Sequence, residues 1–133
     1  MIPRYDYETN QGKMINSGYY NFFESVFLKF CKSKKIKVNR ILRAGLNLQG
    51  YFEPIHGDAH VDHPFKHRNC IMYLNRVTKG SSYEGTVYPA KNILKEIKNK
   101  AGKIVIFPGE NYHAAGHCGK PNERRIVAVF TFD

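Results

Sequence analysis

The sequence predicts a mostly β protein, a sandwich or jelly roll of antiparallel strands with one N-terminal helix packed on it. Three observations carry that expectation. From Ile41 onward apolar and polar residues alternate with period two, short apolar runs recur between clusters of turn-forming residues, and one aromatic-rich stretch with helical spacing precedes them.

The helix is expected over residues 17–31. Tyr19, Tyr20, Phe22, Phe23, Val26, Phe27 and Phe30 recur at three- and four-residue spacing, and Asn16 or Ser17 can cap the start. This aromatic stripe is read as core packing. Lys29, Lys32, Lys34, Lys35, Lys37, Arg40 and Arg43 follow with no acidic residue between them, as a solvated helix end leading into a strand that could meet an anionic partner.

In the first strand Leu42, Ala44, Leu46 and Leu48 alternate with Arg43, Gly45, Asn47 and Gln49. Further strands are expected at 70–74, 86–88, 104–107 and 126–132, separated by turns at 79–82, 101–103, 108–110 and 116–121. Residues 91–100 fit a short helix or a strand equally well. With 133 residues, 42% of them hydrophobic, the chain can build one modest core, so it reads as one domain with a helical, basic part over 1–40 and a β core over 41–133.

Composition narrows the function classes. The longest uninterrupted apolar stretch, residues 126–130, is far too short to span a membrane, and residues 1–10 carry Arg4, Asp6 and Glu8 with no apolar core of a secretory signal. Three widely separated cysteines, Cys31, Cys70 and Cys118, fit free thiols, and a cytoplasmic setting is the expectation. Lys and Arg total 21 against 11 Asp and Glu, a net charge of +10 that favours anionic partners: nucleic acid, acidic peptides or a small anion.

The chemistry lies in the histidines. Four of the six fall within 56–67, and the others are His113 and His117. In an extended segment, His60-Val61-Asp62 projects an imidazole and a carboxylate to one side, where they can share a metal. Two nitrogens and one carboxylate on one face of an octahedral ion leave open positions, as in non-haem Fe(II) oxygenases. His113, after the apolar run 103–109 and a turn, is placed to give the second nitrogen. His56-Gly57-Asp58 is a rival pair, weakened as a strand by its glycine. Helically spaced zinc pairs, His56 with His60 or His113 with His117, are disfavoured because Gly57, Pro64 and Gly116 oppose a helix there, and Cys118 has no Cys-x-x-Cys partner.

Taken in order, His60-Val61-Asp62-His63-Pro64, Ile71-Met72-Tyr73-Leu74-Asn75, Gly85-Thr86-Val87-Tyr88, residues 101–109 leading to Tyr112-His113-Ala114, and Arg124-Arg125-Ile126-Val127-Ala128-Val129-Phe130 form a set. This set resembles the Fe(II)- and 2-oxoglutarate-dependent dioxygenases, and within them the prolyl 4-hydroxylase-like branch with its short phage and bacterial members. The resemblance covers roughly residues 42–133. It implies a double-stranded β-helix, iron held by His60, Asp62 and His113, and the far carboxylate of 2-oxoglutarate held by Tyr73 and Arg125. Arg124 is the neighbouring alternative: adjacent strand residues face opposite ways, so only one can reach the pocket. The implied reaction hydroxylates a C–H bond while 2-oxoglutarate becomes succinate, with ascorbate a possible reductant. The implied substrate is a peptidyl proline or another protein side chain, recognised by the region 52–55 and the loops 63–69 and 76–84. A nucleic-acid substrate is the runner-up, and a non-catalytic basic jelly roll with a structural metal is the reading from another class. His63, His67 and His117 are expected in loops near the pocket mouth.

Overall fold

The computed structural model describes residues 17–52, 57–79, 81–85 and 93–133. Its helix α1 spans Tyr20–Ser33, starting and ending later than the sequence predicts. Ser17 explains the start: its hydroxyl accepts the Tyr19 N–H and its carbonyl the Tyr20 N–H, both at 3.2 Å, so the chain turns once before the helix begins. At the other end the Ile36 N–H donates to the Cys31 carbonyl at 2.8 Å and the Lys35 N–H to Lys32 at 3.1 Å. That pair of bonds is a Schellman closure, and it forces Lys35 into the left-handed region at φ 56°.

Seven strands follow among the described residues: β1 (Ile41–Gln49), β2 (Arg68–Tyr73), β3 (Ser82–Gly85), β4 (Ile93–Ile97), β5 (Ile104–Pro108), β6 (His113–Ala115) and β7 (Arg125–Phe132). They form two sheets, in the orders β1-β7-β2-β5 and β4-β3-β6, with every pairing antiparallel. An isolated bridge between His60 and His113 adds the segment around residue 60 to the free edge of β6. The chain therefore alternates between sheets as it runs from β1 through residue 60, β2, β3 with β4, β5 and β6 to β7. Residues 91–100, ambiguous in sequence, contribute β4. The predicted turn at 79–82 ends one residue too late, since Ser82 already pairs with Ala115. The strand expected at 86–88 lies outside the described residues.

The four-stranded sheet is covered on both faces. Its outer face carries Ala44, Cys70, Met72, Ala128, Phe130 and Phe132 against Tyr20, Phe27 and Cys31 of α1. Phe27 is fully buried, stacked on Phe130 with centroids 4.5 Å apart and edge-on to Phe132 at 5.0 Å. Its removal would cost about 3–5 kcal/mol through lost burial and a cavity. Tyr19 and Phe22 correct the predicted stripe: they are 68% and 63% exposed, because they lie round the helix from Phe27. The inner face gathers Ile71, Tyr73, Phe107 and Val127.

Lys35 supplies a direct test of the helix end. Glycine adopts positive φ without the steric cost a Cβ incurs, so Lys35→Gly is expected to stabilise the protein by about 0.5–1 kcal/mol. Thermal unfolding reads this as a raised midpoint; an unchanged or lowered one shows that the lysine side chain contributes more than the backbone loses.

Candidate metal centre

The bridge between residues 60 and 113 sets the site. His60 and His113 exchange both backbone hydrogen bonds, N–H to carbonyl, at 3.0 Å each way, which carries their rings to the same side of the strand pair. The ring centroids lie 4.6 Å apart. Two residues after His60 the chain brings in Asp62, whose Oδ2 sits 3.2 Å from His113 Nε2 and whose Oδ1 sits 4.0 Å from His60 Nε2. One ligand atom from each of the three residues falls within 4.8 Å of the others.

The hydrogen bonds behind the rings decide what these atoms can do. His60 Nδ1 donates to the Asp58 carbonyl and His113 Nδ1 to the Asn111 carbonyl, both at 3.0 Å. A carbonyl only accepts, so each Nδ1 carries the proton and each neutral ring presents the Nε2 lone pair. Two lone pairs and a carboxylate then converge, an arrangement that repels itself until a cation enters. Backbone carbonyls that fix the tautomer are the usual support of metal-ligating histidines. The donor set thus fits a metal ion, and oxygen with imidazole nitrogen suits a divalent transition metal.

Asp62 is held in its ionised form. Burial alone would raise its pKa, but the hydrogen bond and charge of His113, with the charges of His60 and Arg43, bring it down to about 2, the two rings acting this way in their protonated form, without a metal. A depressed carboxylate contributes stability above its ordinary range and loses it only as pH falls toward that value, so Asp62 stays a ligand in mild acid. Asn69 Nδ2 donates to Oδ2 at 3.0 Å, and Arg43 Nη1 to Oδ1 at 3.3 Å, orienting the carboxylate from both sides.

The cluster opens into a cavity of about 330 Å³ between the two sheets, lined among others by Ile71, Phe107, Val127 and Val129. Arg125 lies at its far end, 3% exposed. Its Nη2 donates to Ser82 Oγ at 3.0 Å and its Nη1 reaches Gln49 Oε1 at 3.4 Å. Tyr73, fully buried, shares a 2.6 Å hydrogen bond with the same Ser82 hydroxyl, and the guanidinium carbon stands 5.4 Å from the Tyr73 ring centre. Arg124 turns the opposite way, exposed, and donates to the carbonyls of Pro121 and Glu123.

The remaining histidines stand elsewhere. His56 lies outside the described residues; Asp58 lends His60 its carbonyl, and its carboxylate is not in the cluster. His63 and His67 lie outside the helix and the strands, as expected, and both are buried. His63 Nε2 shares a 2.8 Å hydrogen bond with Thr131 Oγ1, stacks on Phe65, and meets the His67 ring edge-on. The His67 ring fills the space over Gly109, where a Cβ would fall on it. His117 is buried too, edge-on to Tyr51 and Phe52. Ser82 and Asn69 fall in loops that the sequence assigns to substrate recognition, and Arg43 in its basic stretch, but neither they nor Gln49 are assigned a part in the metal or 2-oxoglutarate site; Asn69, just before the apolar run 70–74, is the kind of buried polar residue that marks one.

No protein-family model matches the sequence, and no curated protein matches it. Among solved structures, the chain is similar to an RmlC-like cupin protein from Desulfovibrio desulfuricans, at 12% identity over 65% of this chain and 81% of that one, with a TM-score of 0.42. That likeness is too slight to bear on function.

The metal assignment makes a paired prediction. Asp62→Ala deletes the carboxylate of the cluster and should abolish tight Mn(II) or Fe(II) binding in equilibrium dialysis, whereas Asp58→Ala, which keeps its backbone carbonyl, should bind metal like the parent. The reverse pattern would move the ligand role to Asp58.

Proposed function

We propose that the protein is an Fe(II)- and 2-oxoglutarate-dependent dioxygenase that hydroxylates a C–H bond of a peptidyl proline or another protein side chain. The observation that carries this reading is one cavity with a His-Asp-His cluster at its mouth and a buried guanidinium with two hydroxyls at its far end. A 2-oxo acid with a second carboxylate suits that spacing of functions: one end chelates a metal, the other pairs with a cation. The alternation of the chain between two antiparallel sheets supports a double-stranded β-helix as the scaffold.

In this reading His60, Asp62 and His113 hold iron, which when bound supplies the oxidising chemistry. Arg125 grips the distal carboxylate of 2-oxoglutarate, its planar fork suited to two parallel hydrogen bonds. Tyr73 and Ser82 set the guanidinium's position and can donate to the same carboxylate. Ile71, Phe107, Val127 and Val129 give the cavity apolar walls that keep water from the reacting groups. Overall, 2-oxoglutarate, dioxygen and the substrate R–H give succinate, carbon dioxide and R–OH.

Succinate release from 2-oxoglutarate, with and without Fe(II), tests the reading; no iron-dependent succinate sinks it. Arg125→Ala should weaken 2-oxoglutarate binding by about 2–5 kcal/mol, the cost of losing one partner of a desolvated ion pair, with metal affinity retained. Arg124→Ala should leave binding within about 0.5 kcal/mol of the parent, as an exposed substitution does. Calorimetric titration of the Mn(II)-loaded variants with 2-oxoglutarate measures both.

A further inference from the structure

The cavity holds a second guanidinium that the proposed reaction does not use. Arg43 lines it at the metal end, its side chain 36% exposed, so it stands at the mouth where Arg125 stands at the floor. A row of polar side chains on β1 connects them. On β1 the side chains of Arg43, Asn47 and Gln49 share the inner face: Arg43 reaches Asp62, Asn47 lines the wall, and Gln49 accepts from Arg125. Gly45 interrupts this row, and a Cβ there would come within 3.4 Å of Asn47 Oδ1. Asn47 turns its amide over that gap, and the cavity space that Arg43 and Asn47 line lies beside the metal ligands.

Charge indicates what enters that space. The described lining residues bring two guanidinium groups and one carboxylate, Asp62. A divalent metal raises the sum to three positive charges, and the 2-oxoglutarate dianion lowers it to one. Once a metal draws on Asp62, the carboxylate attracts Arg43 less, and the Arg43 fork can turn to another acceptor. We propose that Arg43 and Asn47 form the primary-substrate subsite, and that the substrate is a peptide with a carboxylate side chain, Asp or Glu, beside the residue to be hydroxylated. The inference rests on the reading of the protein as a 2-oxoglutarate dioxygenase.

A carboxylate monoanion balances the surplus charge; a phosphodiester, also a monoanion, would do the same, so size separates the two. The cavity is also at the small end of ligand sites, so beside 2-oxoglutarate it takes a side chain more readily than a nucleotide. Phe107, the lining residue with an aromatic hydrocarbon ring, is covered edge-on by His113 and offers no platform for stacking a base. The positive balance of the whole chain would steer an acidic peptide toward this mouth.

The test uses the full chain loaded with Mn(II) and 2-oxoglutarate, and reads binding rather than turnover. The probes are the blocked tripeptides Pro-Glu-Gly and Glu-Pro-Gly, their Gln counterparts, and a thymidine dinucleotide. Paramagnetic broadening of the probe protons gives both affinity and nearness to the metal. One Glu peptide should bind about tenfold more tightly than its Gln counterpart, the worth of a hydrogen-bonded charge, and Arg43→Gln should close that gap. Arg43→Lys should restore part of it. Equal binding of the Glu and Gln peptides, no binding by either Glu peptide, or a preference that survives in Arg43→Gln overturns the proposal. Dinucleotide binding that depends on Arg43 overturns it in favour of nucleic acid. Arg43 also orients Asp62, so each variant is compared at an Mn(II) concentration that saturates it. A parent that takes up Mn(II) but no 2-oxoglutarate sinks the dioxygenase reading as well, which separates that failure from the others.

Discussion

Everything in this fold depends on β7 having two buried faces. It is hydrogen-bonded on both edges, to β1 and β2, and its side chains alternate between two environments. Ala128, Phe130 and Phe132 enter the layer under α1, while Arg125, Val127 and Val129 face the cavity between the sheets. Thr131 also turns inward, to His63. Because the period of a strand is two, a slip of one residue in β7 would send Arg125 toward the helix and Phe130 into the cavity. The aromatic stacking of Phe27 on Phe130 and the guanidinium network around Ser82 are thus fixed by one register.

That double burial also explains what the sequence made legible. The runs at 70–74, 104–107 and 126–132 are apolar on both faces and read clearly as strands, since both sides of the sheet are covered. β1 behaves differently. Its alternation reads as one buried and one solvated face, yet the polar row Arg43, Asn47 and Gln49 lines the cavity, and nothing local in the sequence distinguishes those two fates. β6 has three residues, and its place comes from pairing with β3 and with residue 60, so no periodicity could reveal it. Ser82 was invisible for a similar reason: a small polar residue beside a turn acquires its role only when Tyr73 and Arg125 arrive from distant parts of the chain. His60, Asp62 and His113 stand out through the resemblance of the whole motif set, since the His-x-Asp spacing recurs at His56 and Asp58, and only the fold brings their ligand atoms within 4.8 Å.

Two networks of polar groups line the cavity, and they differ in character. At the floor, the partners of Arg125 among the described residues include the neutral groups of Ser82, Gln49 and Tyr73; burial lowers its pKa more than Tyr73 raises it, and the guanidinium remains charged. At the mouth, Asp62 is flanked by Arg43, Asn69 and two imidazoles, and stays ionised despite its burial. The apolar strip of Ile71, Val127 and Val129 runs between them and gives a low-dielectric wall in which charges at either end act strongly on what lies between.

The bridge between His60 and His113 carries one more consequence. Segments distant in sequence meet there through that pair of backbone hydrogen bonds and a third from the Gly57 N–H to the Ala115 carbonyl, so closing this loop costs chain entropy against few contacts. An ion shared by the two rings and Asp62 would work as a reversible crosslink across that closure, and its binding energy would appear as folding energy. At a free metal concentration a hundredfold above the dissociation constant, the linkage contributes about 2.7 kcal/mol. Metal supply would then set the protein's lifetime in the folded state as well as the composition of its site.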